Sequence, residues 1–207
     1  MKTLIITFAL LLSTAACAQT TLRMDPETGN AGSMAFETHT NPYTLALNTP
    51  LPPIIFLRSQ IASELSLTLN FFTGWNPAGE AHVTVITPPE FINVLSAKLT
   101  EEDINRIASE YNIQGADLKI MGLGSGKAVV GAETHETFFL IVDSLKLREI
   151  RHAIHSAFVK KGGNPSAFDP SWYFPHITVG YTHSDVHEYQ GLIKSVKHSW
   201  DPRFQIK

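Results

Sequence analysis

Two short runs, Ala81-His82-Val83-Thr84-Val85 and Phe174-Pro175-His176-Ile177-Thr178-Val179, constrain this chain more than any other feature. Each is aliphatic and alternates with polar residues at period two, the pattern of a half-buried strand. Residues i and i+2 of a strand point the same way. His82 and Thr84 therefore share one face while Val83 and Val85 take the other. His176 and Thr178 share a face in the same manner, backed by Ile177 and Val179. The spacing repeats as well. The strand-like run from Tyr43 to Leu47 begins 39 positions before His82, and the run from Thr137 to Val142 begins 39 before His176. A helical pattern fills each interval: Leu57, Ile61, Leu65 and Leu69 in the first half, Leu147, Ile150, Ile154 and Phe158 in the second. The helices do not align residue for residue, so architecture repeats and side chains do not. Two strands that bury aliphatic residues and present His plus Thr would gather two imidazoles and two hydroxyls around one small anion.

The paired His-x-Thr motifs, the second as Pro175-His176-Ile177-Thr178, resemble the two-histidine (2H) phosphoesterase superfamily. That group includes the RNA 2′,3′-cyclic phosphodiesterases and the bacterial 2′-5′ RNA ligase-like proteins. The likeness runs from about Pro42 to Thr182. The wording from His82 to Glu90, with Pro88-Pro89 after the strand, is similar to the Swiss-army-knife RNA-repair-like subgroup. The resemblance implies an α+β, bilobal fold: two pseudo-symmetric lobes, each an antiparallel sheet with helices, around a central cleft. It also places His82, Thr84, His176 and Thr178 at the catalytic positions and requires no cofactor.

Those side chains suit the opening of a cyclic phosphodiester. One neutral imidazole can take a proton from the attacking water while a protonated one supplies the leaving oxygen. The hydroxyls can donate to the non-bridging oxygens. Which histidine plays which part does not follow from the sequence. Tyr181, Phe91 and the aromatic run Trp172-Tyr173-Phe174 are candidates to stack on a base. Lys127 and Arg58 are candidate phosphate contacts. Two other classes of reading stand beside this one: an envelope protein that binds nucleotides without turnover, and a metal-dependent hydrolase using His176, His183 and His187. His39, His135 and His198 belong to no constellation, and His152 with His155 suits a solvated helix face.

Sixteen Lys and Arg against 19 Asp and Glu give a net charge of −3. This balance disfavours a long nucleic acid as partner. A nucleotide, or a short RNA end with a cyclic phosphate, fits better, with the protein acting as a monomer. The start of the chain reads as an export signal: Lys2, then an apolar Leu4–Leu12, too short to span a bilayer. Ala16-Cys17-Ala18 suits ordinary cleavage after residue 18. Ala15-Ala16-Cys17 equally suits a lipobox ending at residue 16, with Cys17 lipidated, although Thr14 departs from the usual aliphatic residue. The expected location is periplasmic, or the outer membrane as a lipoprotein. Residues 19–40 are expected as a tether or irregular lead-in, and 41–207 as one bilobal phosphoesterase domain. Gly122-Leu123-Gly124-Ser125-Gly126-Lys127 lacks Walker A spacing and reads as a glycine-rich turn. Thr100, followed by Glu101, Glu102 and Asp103, reads as a helix start.

Overall fold

The structure, a computed structural model, describes residues 19–207. The export signal and Cys17 lie outside the described residues. No helix among those described is long and apolar enough to cross a membrane.

Among the described residues, five α-helices and eight strands make up the fold. The strands are β1 (Thr20–Leu22), β2 (His39–Thr40), β3 (Tyr43–Thr49), β4 (Ala81–Ile86), β5 (Lys119–Val130), β6 (Glu133–Asp143), β7 (His176–Tyr181) and β8 (Phe204–Ile206). The helices are α1 (Leu51–Leu65), α2 (Pro88–Asn93), α3 (Glu101–Glu110), α4 (Leu145–Lys160) and α5 (Val196–Ser199). Six strands form one antiparallel sheet in the order β2-β3-β4-β7-β6-β5. Both expected strand–helix–strand units are present, as β3-α1-β4 and β6-α4-β7. They do not carry separate sheets facing across a cleft. Their inner strands pair directly, with Val83 opposite Ile177. The reason is the aliphatic backing: one face of β4 and β7 is fully apolar, and a shared core is the cheapest way to bury both. Val83, Val85, Ile177 and Val179 are all 0 % exposed and join Ile54, Leu57, Ile61, Ile104, Ile150 and Ile154 of the helices in one cluster.

Local signals fix several boundaries. Thr100 caps α3 by accepting from the Asp103 N–H, and the Asp103 carboxylate accepts from the Thr100 N–H in return. Thr87 and Glu90 close the same box on α2, with Pro88 and Pro89 in its first turn. The segment 19–40, expected as a tether or irregular lead-in, takes part in the fold. Its β1 pairs in parallel with β8 at the other end of the chain, Thr21 beside Gln205.

The glycine-rich turn expected at 122–127 is instead the middle of the long strand β5. Its alternate glycines leave that face of the strand bare. A Cβ at Gly124 would stand 2.5 Å from Phe139 and 2.9 Å from the Ser199 carbonyl oxygen, and one at Gly126 would collide with Leu192. The glycines thus admit the C-terminal segment from Leu192 to Trp200 close against the sheet, and Gly124 bridges to Trp200. Only glycine permits that approach.

One charged residue is locked into the interior. Arg151 of α4 is 1 % exposed. Its guanidinium donates to the Val85 carbonyl at the end of β4 (2.7 Å), to Glu90 (2.8 Å), and to the carbonyls of Asp169, Pro170 and Trp172 on the approach to β7. The planar fork and its five donors suit that set of acceptors. Arg151 ties the ends of both motif strands to one helix. Its removal takes donors from a partly buried carboxylate and from four carbonyls, so Arg151→Ala should cost roughly 2–4 kcal/mol. Denaturant midpoints measure this, and an unchanged midpoint would refute the anchoring role.

Candidate active site

The register of β4 and β7 assembles the motif residues. With Val83 opposite Ile177 in an antiparallel ladder, His82 falls beside Thr178 and Thr84 beside His176. Val83 and Ile177 point into the core, so these four side chains share the opposite face of the sheet. The two histidines lie on a diagonal of that quadrilateral, where Cβ atoms stand roughly 7–8 Å apart. All four are partly buried. Each imidazole can reach an atom held between them.

Different surroundings hold the two rings. His176 Nδ1 lies 2.8 Å from the Phe174 carbonyl oxygen, an acceptor only, so Nδ1 carries the proton and Nε2 offers its lone pair. The Lys194 ammonium donates to that Nε2 at 3.2 Å. Burial and the Lys194 charge depress the His176 pKa to about 3, against the Phe174 hydrogen bond and Asp185. His176 is therefore neutral at physiological pH.

Lys194 is itself buried and paired with Asp185, Nζ to Oδ1 at 2.8 Å. Burial pulls the Lys194 pKa down and Asp185 pulls it back only in part. Burial also opposes the Asp185 charge, but the Lys194 and His187 charges outweigh it and hold the carboxyl below its usual range. The second Asp185 oxygen accepts from the Thr178 hydroxyl at 3.2 Å, a long and exchangeable O–H···O bond. Asp185 thus joins the second motif's threonine to the lysine behind its histidine. The sequence offers no signal for this pair beyond a buried lysine flanked by apolar Leu192 and Ile193. It reaches the site because β5 is bare at its glycines.

His82 stands in an aromatic enclosure. Its ring centroid lies 4.7 Å from Trp75 and 5.6 Å, edge-on, from Phe72. His39, without a constellation in the sequence, stacks on Trp75 at 3.6 Å. The loop bearing Phe72 and Trp75 is fastened to β7 by the two backbone hydrogen bonds of Asn70 with Tyr181 (2.8 and 3.0 Å). Glu80 Oε1 sits 3.3 Å from His82 Nδ1, out of hydrogen-bond alignment, and neither atom has another partner among the described residues. Asn48, beside His82 on β3, likewise has an unpartnered amide nitrogen. A small rotation of either His82 or Glu80 would let Nδ1–H donate to the carboxylate and aim Nε2 over the sheet face.

The other candidates divide. Tyr181 lies on β7 beyond Thr178, half-buried, with burial and then Asp185 raising its phenol pKa. Phe91 does not reach the site: it is 9 % exposed, belongs to the main core and packs on Tyr43 at 4.4 Å. Its helix α2 lies beyond the apolar end of β4, which sequence pattern alone does not orient. Of the aromatic run, Tyr173 is buried and donates to the Thr84 carbonyl (3.1 Å), while Trp172 is exposed and donates to Glu188. Lys127 pairs with Glu136 on the far hairpin, and Arg58 lies over Phe71. His176, His183 and His187 do not come together. His183 lies with His135 and Glu133, and His187 stands 4.0 Å from Asp185 and stacks on Tyr189. Six residues of strand and turn separate His176 from His183, which takes the latter off the end of the sheet.

A neutral imidazole, a second imidazole beside a carboxylate, two hydroxyls and a buried ammonium on one sheet face are the equipment of a phosphoester hydrolase. The family model of the Swiss Army Knife, 2H phosphoesterase domain matches residues 44–187, more than half of the chain. The chain therefore belongs to the 2H phosphoesterase superfamily. Among curated proteins and solved structures, none matches it.

The depressed pKa of His176 has a consequence for stability, with a definite sign. Below about pH 6.5 the unfolded chain protonates this histidine and the native state does not. Stability should fall as pH drops from about 6.5 towards 3, by up to about 1.4 kcal/mol per pH unit from this one group. Urea midpoints at pH 7 and pH 5 should therefore diverge more in the wild type than in His176→Gln. Equal divergence in both would place the acid sensitivity elsewhere.

Proposed function

We propose that the protein opens a cyclic phosphodiester, the 2′,3′-cyclic phosphate of a nucleotide or short RNA end, without a metal. The observation that supports this most is the shared face of β4 and β7. There His82 and His176 stand diagonal to each other and Thr84 and Thr178 complete the square. A phosphorus atom above the middle of the square has one imidazole on either side, as in-line displacement requires. His176, held neutral, takes a proton from the attacking water through Nε2. The new P–O bond forms as the bond to the 2′ or 3′ oxygen breaks. His82, protonated, passes its Nε2 proton to that leaving oxygen. The cycle ends with the proton on His176, and exchange with solvent restores the starting forms.

The remaining groups manage the charge. Lys194 donates to the very lone pair that a base needs. A phosphate oxygen is the stronger acceptor, so substrate binding would draw the ammonium away and free Nε2. The Thr178 hydroxyl would exchange its long bond to Asp185 for a non-bridging oxygen, with Thr84 serving another. Phe72, exposed at the rim, and Trp75 offer faces for a nucleobase, and Tyr181 flanks the other end of β7. The net charge of −3 favours a small substrate over a long polynucleotide. The export signal read in residues 1–18 supports a reaction in the cell envelope, and the lipobox reading of Cys17 would anchor the protein there.

Turnover of 2′,3′-cyclic nucleotides, with products assigned by phosphorus NMR, tests the reading. His82→Ala and His176→Ala should each lower kcat by about 10²–10⁴, and the double variant by little more than the worse single one. Thr84→Ala and Thr178→Ala should cost about 10²–10³. The kcat/KM profile should be bell-shaped, reporting the coupled pair. Binding without turnover would favour the nucleotide-binding alternative, and loss of turnover on chelation would refute metal-independent chemistry.

A further inference from the structure

Glu133 and His135 stand at the start of β6, and His183 lies two residues past the end of β7. The two strands run antiparallel with Thr137 beside Tyr181, so the same ladder carried two residues further sets His135 alongside His183. Their rings stack at 5.0 Å. His135 Nε2 is 4.0 Å and His183 Nε2 3.7 Å from one oxygen, Glu133 Oε2. Both distances are too long for hydrogen bonds. The other ring nitrogens are already engaged: His135 Nδ1 lies 2.7 Å from Ser184 Oγ, and His183 Nδ1 lies 3.2 Å from Thr182 Oγ1. Thr182 Oγ1 is held in turn by the Glu136 N–H at 3.0 Å. In the tautomer that gives each Nδ1–H to its hydroxyl, each Nε2 lone pair faces the carboxylate.

We propose that Glu133, His135 and His183 bind a divalent transition ion of the zinc class, with a fourth position open to water. Two imidazoles and a carboxylate are a recurrent zinc set, and hydroxyl partners on the far ring nitrogens orient such ligands. One ligand atom from each of the three residues lies within 4.8 Å of the other two. A tetrahedral ion with bonds of about 2.0–2.2 Å spaces its ligands by roughly 3.3–3.5 Å. Glu133 is exposed and free to close the difference, whereas His135 is buried and fixes the site. The ion would clasp the β5–β6 hairpin to the turn after β7. His183 lies two residues before Asp185, which holds both Thr178 and Lys194. The site lies off the end of the sheet, away from the reacting atoms, and does not depend on the phosphodiesterase reading.

Titration of the metal-free, untagged full chain with Co²⁺, and with Zn²⁺ in competition, tests this. The expected result is one equivalent of Co²⁺ with visible d–d bands that Zn²⁺ displaces, and a melting temperature that rises with Zn²⁺. Glu133→Gln and His183→Gln, both at exposed positions, should each weaken binding at least tenfold, and Ser184→Ala by about 10–100-fold. Absence of the d–d bands in the wild type would overturn the proposal. So would wild-type affinity retained in both ligand variants.

Discussion

The pairing of β4 with β7 is the contact on which the rest depends. A single register, Val83 against Ile177, decides two things at once. It buries the aliphatic faces of both motif strands beneath α1 and α4, and it sets two His-x-Thr motifs side by side on the opposite face. A slip of one residue would turn every motif side chain into the core and every valine out. Packing and chemistry are therefore fixed by the same constraint. The core clusters of Val83, Val85, Ile177 and Val179, none of them accessible, make the slip prohibitively expensive.

Two supports keep that seam in place. Arg151 reaches from α4 to a carbonyl at the end of β4 and to carbonyls on the approach to β7, acting as a buried bracket that neither strand could supply for itself. On the other face, the bare stretch of β5 lets the C-terminal segment lie close, which delivers Lys194 to His176. The electrostatics follow from this delivery. Desolvation and then the neighbouring ammonium keep the His176 imidazole neutral, and Asp185 balances the ammonium's charge. Two imidazoles, two hydroxyls and a cation are all in place before any substrate arrives.

Much of this was legible in the sequence, because its signals are local. Period-two alternation marked β4 and β7, four-residue spacing marked α1, and Thr100 with Asp103 marked the start of α3. The repeated interval of 39 marked the two strand–helix–strand units. What escaped depends on contacts far apart in the chain. That the halves share one sheet is a matter of which edges pair, and alternation is the same for either choice. Gly122, Gly124 and Gly126 looked like a turn because glycine usually marks one, whereas here their missing side chains are filled by residues some 70 positions away. Phe91 was indistinguishable from a stacking aromatic until α2 was seen to turn it inward. Lys194, Asp185, Glu80 and His39 carry no motif at all, and His135 acquires meaning only when the β6–β7 ladder sets it beside His183.

In the proposed reaction both imidazoles address one phosphorus atom. Nitrogen NMR of the His82 and His176 rings during titration with a nucleoside 2′- or 3′-monophosphate tests this. Both Nε2 resonances should move along one saturation curve, with His82→Ala leaving the His176 response in place but weaker. Movement of a single ring, or two curves with different midpoints, would contradict it.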